Sequence, residues 1–307
     1  MEKVIIVGAG LVGSLQAIYM AKKGYDVEVY ERRPDMRKID LIAGRSINLA
    51  LSNRGWKAIS EAGIQSEIEK IAIPMRGRMM HDEEGNTTFQ QYGKDDEAIF
   101  SVSRGLLNQK LMTCAGEFKN VEFFFNHKCL DVNLETNELT FLNTLTNEKK
   151  TVSKGRIFAT DGAFSAIRKR LMKTDRFNYQ QMYLEHGYKE LTIPAADGGG
   201  FKIDKNALHI WPRGEYMMIA LANEDGSFTC TLFFPFEGEN SFESLKTKAD
   251  VEKFFNNVFP DAVELMPNLV QEYFENPTAS LVTVRCSPWN YKDQIIMLGD
   301  ASHAIVP

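Results

Sequence analysis

The stretch that decides the fold is VIIVGAGLVGSLQAIYMAKKGYDVEVYE, residues 4–31. Its first four residues, VIIV, are apolar and mostly β-branched, which predicts a short buried strand. Residues 11–24 follow with a helical pattern, and Gly24 suits the turn after a helix. Residues 26–31, DVEVYE, alternate between polar and apolar side chains and predict a second strand. The order strand, helix, strand predicts the start of a Rossmann-like α/β domain.

Three glycines lie between the first strand and the helix in the pattern G-x-G-x-x-G. Gly8 permits a tight turn, Gly10 lets a pyrophosphate approach the backbone, and Gly13 lets the helix pack closely on the strand. Glu31 ends the second strand and can accept hydrogen bonds from both hydroxyls of an adenosine ribose. This context predicts dinucleotide binding; the alternative is a tight turn in an α/β domain that binds no nucleotide. After Glu31 the chain becomes basic and loop-like instead of continuing the βαβ alternation, which favours FAD over NAD.

Composition and charge exclude several other classes of protein. The 307 residues are 44% hydrophobic and 25% charged, which is typical of a globular protein and not of a disordered or collagen-like chain. The net charge of −5 gives no reason to expect nucleic acid or an anionic membrane as a partner. The cysteines and histidines lack metal-ligand spacing, so we predict no metal site and a reduced, cytoplasmic protein. The uncharged run from Val4 to Ala21 is long enough for a membrane span, but its glycines and its division into strand and helix argue against one.

Two later segments combine a strand with a turn that contains glycine and aspartate. Residues 156–170, RIFATDGAFSAIRKR, predict a strand, a turn at Asp161 and a helix capped by Ser165. Residues 294–306, QIIMLGDASHAIV, predict a buried strand and a turn at Asp300. An aspartate at the end of a strand can accept a hydrogen bond from a polyol hydroxyl, and a helix start can face an anionic group.

In this order, the three signatures resemble those of the group A flavoprotein monooxygenases, the p-hydroxybenzoate hydroxylase-like group. Further segments, distributed over the whole chain, are similar to the kynurenine 3-monooxygenase family within that group. They are GLVGSLQA (10–17), GRSINLALS (44–52), SVSR (101–104), HGYKELTIP (186–194), LHIWPR (208–213), MMIAL (217–221), FTCTLF (228–233) and GDASHAIVP (299–307). The resemblance implies an α/β fold, α+β overall, in which an antiparallel-sheet substrate domain is inserted into a Rossmann-like FAD-binding domain.

The resemblance also implies an activity. FAD would be bound, NADPH would reduce it, and O2 would then give a flavin C4a-hydroperoxide that hydroxylates L-kynurenine to 3-hydroxy-L-kynurenine in tryptophan degradation. The cofactor carries the chemistry, so no catalytic side chain is predicted. The alternatives are a group A hydroxylase of another aromatic acid, an FAD-dependent halogenase or geranylgeranyl-type reductase, and a flavin-binding redox module that acts through a partner protein. The tryptophan-containing motif of a halogenase is not found after the first glycines.

By the same resemblance, Arg78 and Tyr92 bind the substrate. They lie in the segment GRMMHDEEGNTTFQQYG (77–93). A guanidinium presents a planar fork to a carboxylate, and a phenol adds a directional O–H group. The motifs and the resemblance together predict these cofactor-binding residues: Gly8, Gly10, Val12, Gly13, Tyr30, Glu31, Arg33, Ala50, Arg104, Cys129, Asp161 and Asp300. At Cys129 the expected contact is through the backbone, so its thiol has no part in the chemistry.

The middle of the chain has alternating strands, which predict an antiparallel sheet that covers the aromatic pocket. Leu221, Phe234 and Phe236 are candidates for lining this pocket. Trp211 and Met217 are expected in the core.

The last signature also predicts local structure. A helix is expected to start at Ala301–Ser302, directly after the turn at Asp300. His303 would lie on this helix, where we expect a structural or cofactor-packing role rather than acid–base chemistry.

The signatures suggest a discontinuous domain organisation. The FAD-binding domain is expected to comprise residues 1–70, 101–175 and 285–307, and the substrate-binding domain residues 71–100 and 176–284. The family continues with a helical C-terminal region that is absent from this chain. We therefore expect the native protein to be longer, and a membrane contact through such a region is left open.

Overall fold

The computed structural model describes residues 2–38, 47–94, 97–153 and 155–306. The predicted turn at 44–46 therefore lies outside the described residues. The chain forms two compact units, which are described separately. Unit 1 comprises residues 1–40, 108–183 and 282–307, and unit 2 comprises residues 41–107 and 184–281.

The described residues form strands, α-helices and two short 3₁₀ helices. The strands are β1 (Lys3–Val7), β2 (Asp26–Tyr30), β3 (Asn48–Leu51), β4 (Ile73–Met75), β5 (Gly77–His81), β6 (Thr87–Gln91), β7 (Ile99–Ser103), β8 (Val121–Phe124), β9 (His127–Asn133), β10 (Glu138–Asn143), β11 (Lys149–Val152), β12 (Arg156–Ala159), β13 (Asn178–Ile193), β14 (Ala207–Arg213), β15 (Tyr216–Ala222), β16 (Phe228–Pro235), β17 (Ala279–Ser287), β18 (Asn290–Tyr291), β19 (Ile295–Met297) and β20 (His303–Ala304). The α-helices are α1 (Leu11–Lys22), α2 (Asn53–Ala62), α3 (Gln65–Glu69), α4 (Arg104–Gly116), α5 (Ala166–Leu171), α6 (Lys248–Val258), α7 (Pro260–Val263) and α8 (Leu269–Glu275). The 3₁₀ helices are Met36–Lys38 and Gly299–Ala301.

Unit 1 is built on a six-stranded sheet in the order β18-β19-β12-β1-β2-β8. β1 pairs in parallel with β2 and β12, and β12 pairs in parallel with β19. The predicted strand–helix–strand start is confirmed, and Gly24 has a φ of 82°, a left-handed conformation that favours glycine. A three-stranded sheet, β11-β10-β9, packs on the parallel sheet through buried apolar residues. The parallel sheet expected of a Rossmann-like domain is therefore present.

Unit 2 is built on neighbouring strands in the order β13-β16-β15-β14-β5-β6. The pairs along this series are antiparallel except β14 with β5, which is parallel. The predicted strands in the middle of the chain are confirmed as β13 to β16. The three helices α6, α7 and α8 were not predicted; they pack on one face of the sheet, which we call the helix face.

Strand alternation decides which side chains point to the helix face. Phe234 lies there in the core, with its ring centroid 5.0 Å from that of Phe254. The prediction that Phe234 lines the pocket was therefore wrong. Leu221 points to the other face: it pairs with Thr229, whereas the next residue, Ala222, pairs with Phe228 on the helix face. Trp211 is buried in the core as predicted.

Met217 needs a similar correction. It was expected in the core, but it is 38% exposed, because its neighbour Met218 takes the position on the helix face. Phe236 lies beyond the end of β16, where it lines a cavity of about 960 Å³ together with Tyr216 and Pro235, so its place in the aromatic pocket stays a prediction. The period of two residues along a strand explains why adjacent methionines differ in this way.

The units divide the chain differently from the predicted domains. Residues 47–70 and 101–107, predicted in the FAD-binding domain, belong to unit 2. The reason is local: β3, β7 and β4 form their own small sheet. Asn48 Nδ2 donates to the carbonyl oxygen of Ala222 at 3.1 Å, and Ser101 Oγ donates to the same oxygen at 2.7 Å. These bonds attach β3 and β7 to the end of β15.

The end of the chain differs from the predicted helix. After Gly299–Ala301, His303 and Ala304 form β20, which pairs antiparallel with Arg285 and Val284 of β17. The pairing with β17 replaces a helix at this point, and His303 instead lies beside Trp289, with ring centroids 5.0 Å apart. In the part of the chain that the structure describes, no helix is both long and apolar enough to span a membrane.

Candidate cofactor and substrate sites

The parallel pairing in unit 1 brings the predicted cofactor residues to one edge of the sheet. β1, β2, β12 and β19 run in the same direction, so their carboxyl ends lie side by side. Gly8 follows β1, Glu31 follows β2, Asp161 follows β12 and Asp300 follows β19. In open α/β sheets, ligands bind at the carboxyl ends of the strands.

The three glycines of the first turn have different surroundings. Gly8 has a φ of 98°, and a Cβ there would lie 2.6 Å from the carbonyl oxygen of Thr160. A Cβ at Gly13 would lie only 1.9 Å from the carbonyl oxygen of Gly8. A Cβ at Gly10, in contrast, would meet no atom of the described chain within 4 Å outside its own neighbours. Gly8 and Gly13 are therefore required by packing, whereas Gly10 leaves space beside the backbone.

The first turn of α1 is suited to an anion. Gly10 is its N-cap residue, and among the residues that the structure describes no side chain caps this helix end. The first turn also contains no acidic residue. The N–H groups at this end are therefore available, and together with the helix dipole they favour a bound anionic group.

Glu31 is buried beside this turn. Its Oε2 accepts a hydrogen bond from the backbone N–H of Ala9 at 2.8 Å, and its Oε1 accepts from Arg33 Nε at 2.9 Å. Burial acts to raise the pKa of Glu31. The hydrogen bonds from Arg33, the positive charge of Arg33 and the hydrogen bond from the Ala9 N–H together outweigh burial, so the pKa of Glu31 is lowered. Glu31 is therefore held as a carboxylate that can accept hydrogen bonds from a ligand.

A cavity of about 260 Å³ opens beside Glu31 and is also lined by Arg33, Met36 and Met112. Asn108 lies close by, since its Nδ2 donates to the carbonyl oxygen of Ala9 at 3.1 Å. The buried Oδ1 of Asn108 has no hydrogen-bond partner in the described ranges of the chain. Asn108 was missed by sequence reasoning, because a lone asparagine on a helix carries no recognisable signal.

Asp161 has one bound and one unbound carboxylate oxygen. Oδ2 accepts a hydrogen bond at 2.8 Å from the N–H of Ala166, at the start of α5. The predicted helix cap is confirmed, because Ser165 Oγ accepts a hydrogen bond from the N–H of Arg168 at 2.9 Å. Oδ1 is buried and finds no partner among the residues described. Burial raises the pKa of Asp161.

Arg168 connects the turn at Asp161 to the turn at Asp300. Its buried guanidinium donates to the carbonyl oxygen of Ala301 at 2.8 Å and contacts that of Ala163. Asp300 itself is exposed, and the neighbouring Gly299 packs against Val12. Arg168 belongs to the segment RIFATDGAFSAIRKR (156–170), but only the fold shows that it connects the two turns.

The remaining predicted cofactor residues of unit 1 differ in what they expose. Val12 is 39% exposed on the first turn of α1. The side chain of Tyr30 is buried, stacked between Phe124 and Phe141 at 4.6 and 4.2 Å, so only its backbone could meet a ligand. Cys129 lies on β9, and burial raises the pKa of its thiol. This agrees with the expectation that the thiol is not reactive.

Two predicted cofactor residues belong to unit 2. Ala50 is exposed on β3 and pairs with Ser101 of β7. Arg104 is the exposed first residue of α4, and its N–H donates to the carbonyl oxygen of Ile47 at 3.2 Å.

Unit 2 brings the two predicted substrate residues together. β5 and β6 form an antiparallel hairpin that places Arg78 on β5 and Tyr92 just after β6. The Arg78 guanidinium carbon lies 5.3 Å from the centre of the Tyr92 ring, which is a cation–π contact. The Tyr92 hydroxyl is buried and, within the described part of the chain, has no hydrogen-bond partner. A guanidinium and a free phenol can together bind a carboxylate.

Arg78 shares a face of the sheet with apolar side chains. The register pairs Arg78 with Leu208 and Met80 with Ile210 across β5 and β14, and it continues to β15 and β16. We call this side, opposite the helix face, the Arg78 face. Its apolar residues are Met80, Leu208, Ile210, Met217, Ile219, Leu221 and Phe233, and the same register also places Thr229, Thr231 and Glu190 on it. A largely apolar surface with an arginine at its edge suits an aromatic acid.

Comparisons with known proteins show the family of the chain. A family model described as "FAD binding domain" matches residues 1–307. The chain is 53% identical over 307 residues to the kynurenine 3-monooxygenase of Flavobacterium psychrophilum, covering 100% of this chain and 68% of that protein. It is 50% identical over 307 residues to the kynurenine 3-monooxygenase of Dictyostelium discoideum, covering 100% of this chain and 65% of that protein.

Solved structures show the same fold at low sequence identity. 2-Methyl-3-hydroxypyridine-5-carboxylic acid oxygenase matches with a TM-score of 0.75 and 15% identity, over 99% of this chain and 76% of that one. p-Nitrophenol 4-monooxygenase from Pseudomonas putida matches with a TM-score of 0.70 and 16% identity, over 99% of this chain and 74% of that one. With the sequence identities of about one half, these observations establish that the chain belongs to the kynurenine 3-monooxygenase family of FAD-dependent aromatic hydroxylases.

Proposed function

We propose that this chain binds FAD and L-kynurenine and takes part in the NADPH- and O2-dependent hydroxylation of L-kynurenine to 3-hydroxy-L-kynurenine. The observation that carries this proposal is the pair Arg78 and Tyr92 at the edge of the largely apolar Arg78 face. The pair offers a charge and an unused hydroxyl to a carboxylate, and the apolar strands offer a surface to an aromatic ring.

The residues at the sheet edge of unit 1 fit FAD. The open space at Gly10 and the uncapped start of α1 suit the pyrophosphate, and Glu31 beside its cavity suits the adenosine ribose. The unused oxygen of Asp161 and the exposed Asp300 offer acceptors to further hydroxyl groups. When bound, FAD accepts a hydride from NADPH and transfers one oxygen atom of O2 to the substrate.

The protein's own side chains bind and orient the substrate and shield it from water. Arg78 and Tyr92 hold the amino-acid end of L-kynurenine, so that its orientation is fixed by the carboxylate. The ring lies against partly exposed apolar side chains such as Ile210 and Ile219, which exclude water from the reacting carbon. None of these residues has to exchange a proton with the ring.

An assay for substrate-dependent turnover tests this proposal. The full-length protein that contains this chain is loaded with FAD, NADPH oxidation is measured with and without L-kynurenine, and 3-hydroxy-L-kynurenine is quantified. We expect L-kynurenine to stimulate NADPH oxidation and to be converted. Turnover with another aromatic acid alone would indicate a different hydroxylase, and NADPH oxidation that no aromatic acid stimulates would indicate a flavin-binding redox module.

Asp161→Asn is expected to stabilise the FAD-free protein and to weaken FAD binding. Because its pKa is raised in the folded state, Asp161 loses its proton more readily in the unfolded chain, so stability decreases as pH rises through the folded-state pKa. The asparagine cannot ionise, so it removes that decrease. Thermal unfolding of the FAD-free protein at pH 5 and pH 8 measures the first effect, and FAD titration measures the second. FAD affinity equal to that of the wild type would remove Asp161 from the cofactor site.

The division of roles between the units and the location are proposals as well. We propose that unit 1 carries the FAD contacts around Gly10 and Glu31, and that unit 2 carries the substrate contacts of Arg78. We also propose a reduced, cytoplasmic environment, because the four cysteines are widely scattered in the sequence.

A further inference from the structure

The helix face of unit 2 contains a buried chain of hydrogen bonds that the proposed reaction does not use. His81 Nδ1 lies 2.7 Å from Asp261 Oδ2, and His81 Nε2 lies 2.9 Å from His209 Nδ1. His209 Nε2 lies 2.8 Å from the carbonyl oxygen of Asp204. Trp211 Nε1 donates to Asp261 Oδ2 at 2.9 Å, and its ring stacks on that of His81 with centroids 4.0 Å apart. We call His81 and His209 the imidazole pair.

The two ends of this chain fix the number of protons on the imidazole pair. One end is the carboxylate of Asp261 and the other is the carbonyl oxygen of Asp204, and both are acceptors. His81 must therefore donate from Nδ1, and His209 must donate from Nε2. The bond between the rings needs one more hydrogen. Three N–H groups on four ring nitrogens are one more than two neutral imidazoles carry, so the pair has one positive charge.

His209 is the neutral ring of the pair. Burial lowers the pKa of His209 to about 4. The hydrogen bond to the carbonyl oxygen of Asp204 acts to raise this pKa, whereas the nearby His81 lowers it further. The pKa of Asp261 is lowered despite its burial, because His81 and Trp211 donate hydrogen bonds to it. Three charged groups lie around the pair. They are the Asp261 carboxylate on α7, Arg213 at the end of β14, and Asp204 just before β14. His81 Nδ1 and Asp261 Oδ2 thus form an ion pair in which His81 is buried and Asp261 is partly exposed, and His209 accepts a hydrogen bond from His81.

This ion pair lies directly behind the strand that carries Arg78. His81 is the last residue of β5, three positions after Arg78, so their side chains point to opposite faces. Arg213 binds the same end of β5, donating to the carbonyl oxygens of His81 at 3.0 Å and Asp82 at 2.8 Å. Its Nε donates to the carbonyl oxygen of Val258 at 2.7 Å, next to α7. β6 is exposed along its whole length, so the position of the hairpin depends on how β5 is attached.

We propose that His81 and Asp261 are positioning residues for substrate binding. Their ion pair, which is buried on the His81 side, holds the β5–β6 hairpin where Arg78 and Tyr92 meet. His209 keeps the proton on His81, because its neutral ring offers Nδ1 only as an acceptor. The proposal rests on the proposed function in so far as Arg78 and Tyr92 bind the substrate.

The proton count is tested by ¹⁵N NMR of the histidine rings in the full chain at pH 7, with assignment from His81→Gln and His209→Gln. We expect both nitrogens of His81 to carry hydrogen and only Nε2 of His209 to do so. In Asp261→Asn the carboxylate charge is removed, and we expect the pair to become neutral, with one N–H on each ring. One N–H on each ring in the wild type would overturn the proposal.

The positioning role is tested with His81→Gln and a matched core variant. Phe254 also lies on the helix face, and its ring contacts among the described residues are with Tyr216, Phe234, Phe255 and Phe259. Phe254→Leu is therefore expected to lower stability without removing a member of the hydrogen-bond chain. In the FAD-loaded protein we expect His81→Gln to raise the Kd for L-kynurenine about tenfold, with kcat changed much less than KM and FAD affinity unchanged. Phe254→Leu is expected to leave this Kd within about twofold.

Amide hydrogen exchange of β5 and β6 gives a measurement that needs no substrate. We expect these amides to exchange at least about tenfold faster in His81→Gln than in Phe254→Leu. Equal exchange rates in the two variants would overturn the positioning role, whatever the substrate proves to be. If the wild type bound no L-kynurenine, the proposed function would fail, while the NMR and exchange results would still decide whether the ion pair positions the hairpin.

Discussion

Gly10→Ala is expected to lower the affinity for FAD by about a hundredfold, about 2.8 kcal/mol, and to leave the fold unchanged. A Cβ at Gly10 meets no other atom within 4 Å in the described chain, and φ is −72°, which alanine adopts without strain. The methyl group instead occupies the space through which a pyrophosphate reaches the N–H groups of α1. Titration with FAD, followed by the quenching of flavin fluorescence, measures the affinity, and chemical unfolding of the FAD-free protein measures the stability.

Gly13→Ala is the matched control, since it adds the same methyl group three residues further on. Here the Cβ would lie 1.9 Å from the carbonyl oxygen of Gly8 and 2.6 Å from Thr160 Oγ1, so β1, α1 and β12 have to separate. We expect the free energy of unfolding to fall by about 3 kcal/mol or more. The pair of variants thus separates a glycine required by the cofactor from one required by the fold. Gly10→Ala with wild-type FAD affinity would show that the pyrophosphate does not lie against this turn.

Much of the fold could be predicted because its signals are local. The first βαβ unit and the strands β13 to β16 follow from short periodic patterns that the tertiary structure preserves. The helices α6 to α8 were missed although one signal was present: Thr247 and Asp250 form a capping box at the start of α6. The predicted helix at Ala301 failed for a non-local reason, since pairing with β17 competes for the same residues.

The candidate sites show the same division between local and distant information. The roles of Gly8 and Gly13 could be assigned from the motif, because the turn itself imposes them. The face on which Phe234 lies depends on register, and the register depends on which residues of β15 and β16 pair. The contact between His81 and Asp261 joins residues 180 positions apart, and no pattern in the sequence indicates it.

Arg78→Ala is expected to raise the KM for L-kynurenine about a hundredfold, while bound FAD and the stability of the protein stay close to those of the wild type. The guanidinium is exposed and stacks on Tyr92 at 5.3 Å, so its loss creates no cavity in the core. A charge-assisted pair with a carboxylate contributes about 1.5–3 kcal/mol, which corresponds to a change of about tenfold to more than a hundredfold. Steady-state kinetics and flavin absorbance titration with L-kynurenine measure the effect.

Three further variants show whether the effect belongs to the Arg78 fork. Arg78→Lys keeps the charge but not the planar pair of donors, so we expect an intermediate KM. Tyr92→Phe keeps the ring against Arg78 and removes only the hydroxyl. In the double variant with Arg78→Ala, KM should change by less than the product of the two single effects, because both groups bind one carboxylate. Arg76→Ala removes a neighbouring exposed arginine side chain. The hydrogen bonds of Arg76 to Tyr92 and Asn206 are made by its backbone and are kept in this variant, so KM should stay unchanged. Equal increases in KM for Arg76→Ala and Arg78→Ala would reduce the role of Arg78 to general attraction by positive charge, and an unchanged Kd in Arg78→Ala would remove the carboxylate site from this hairpin.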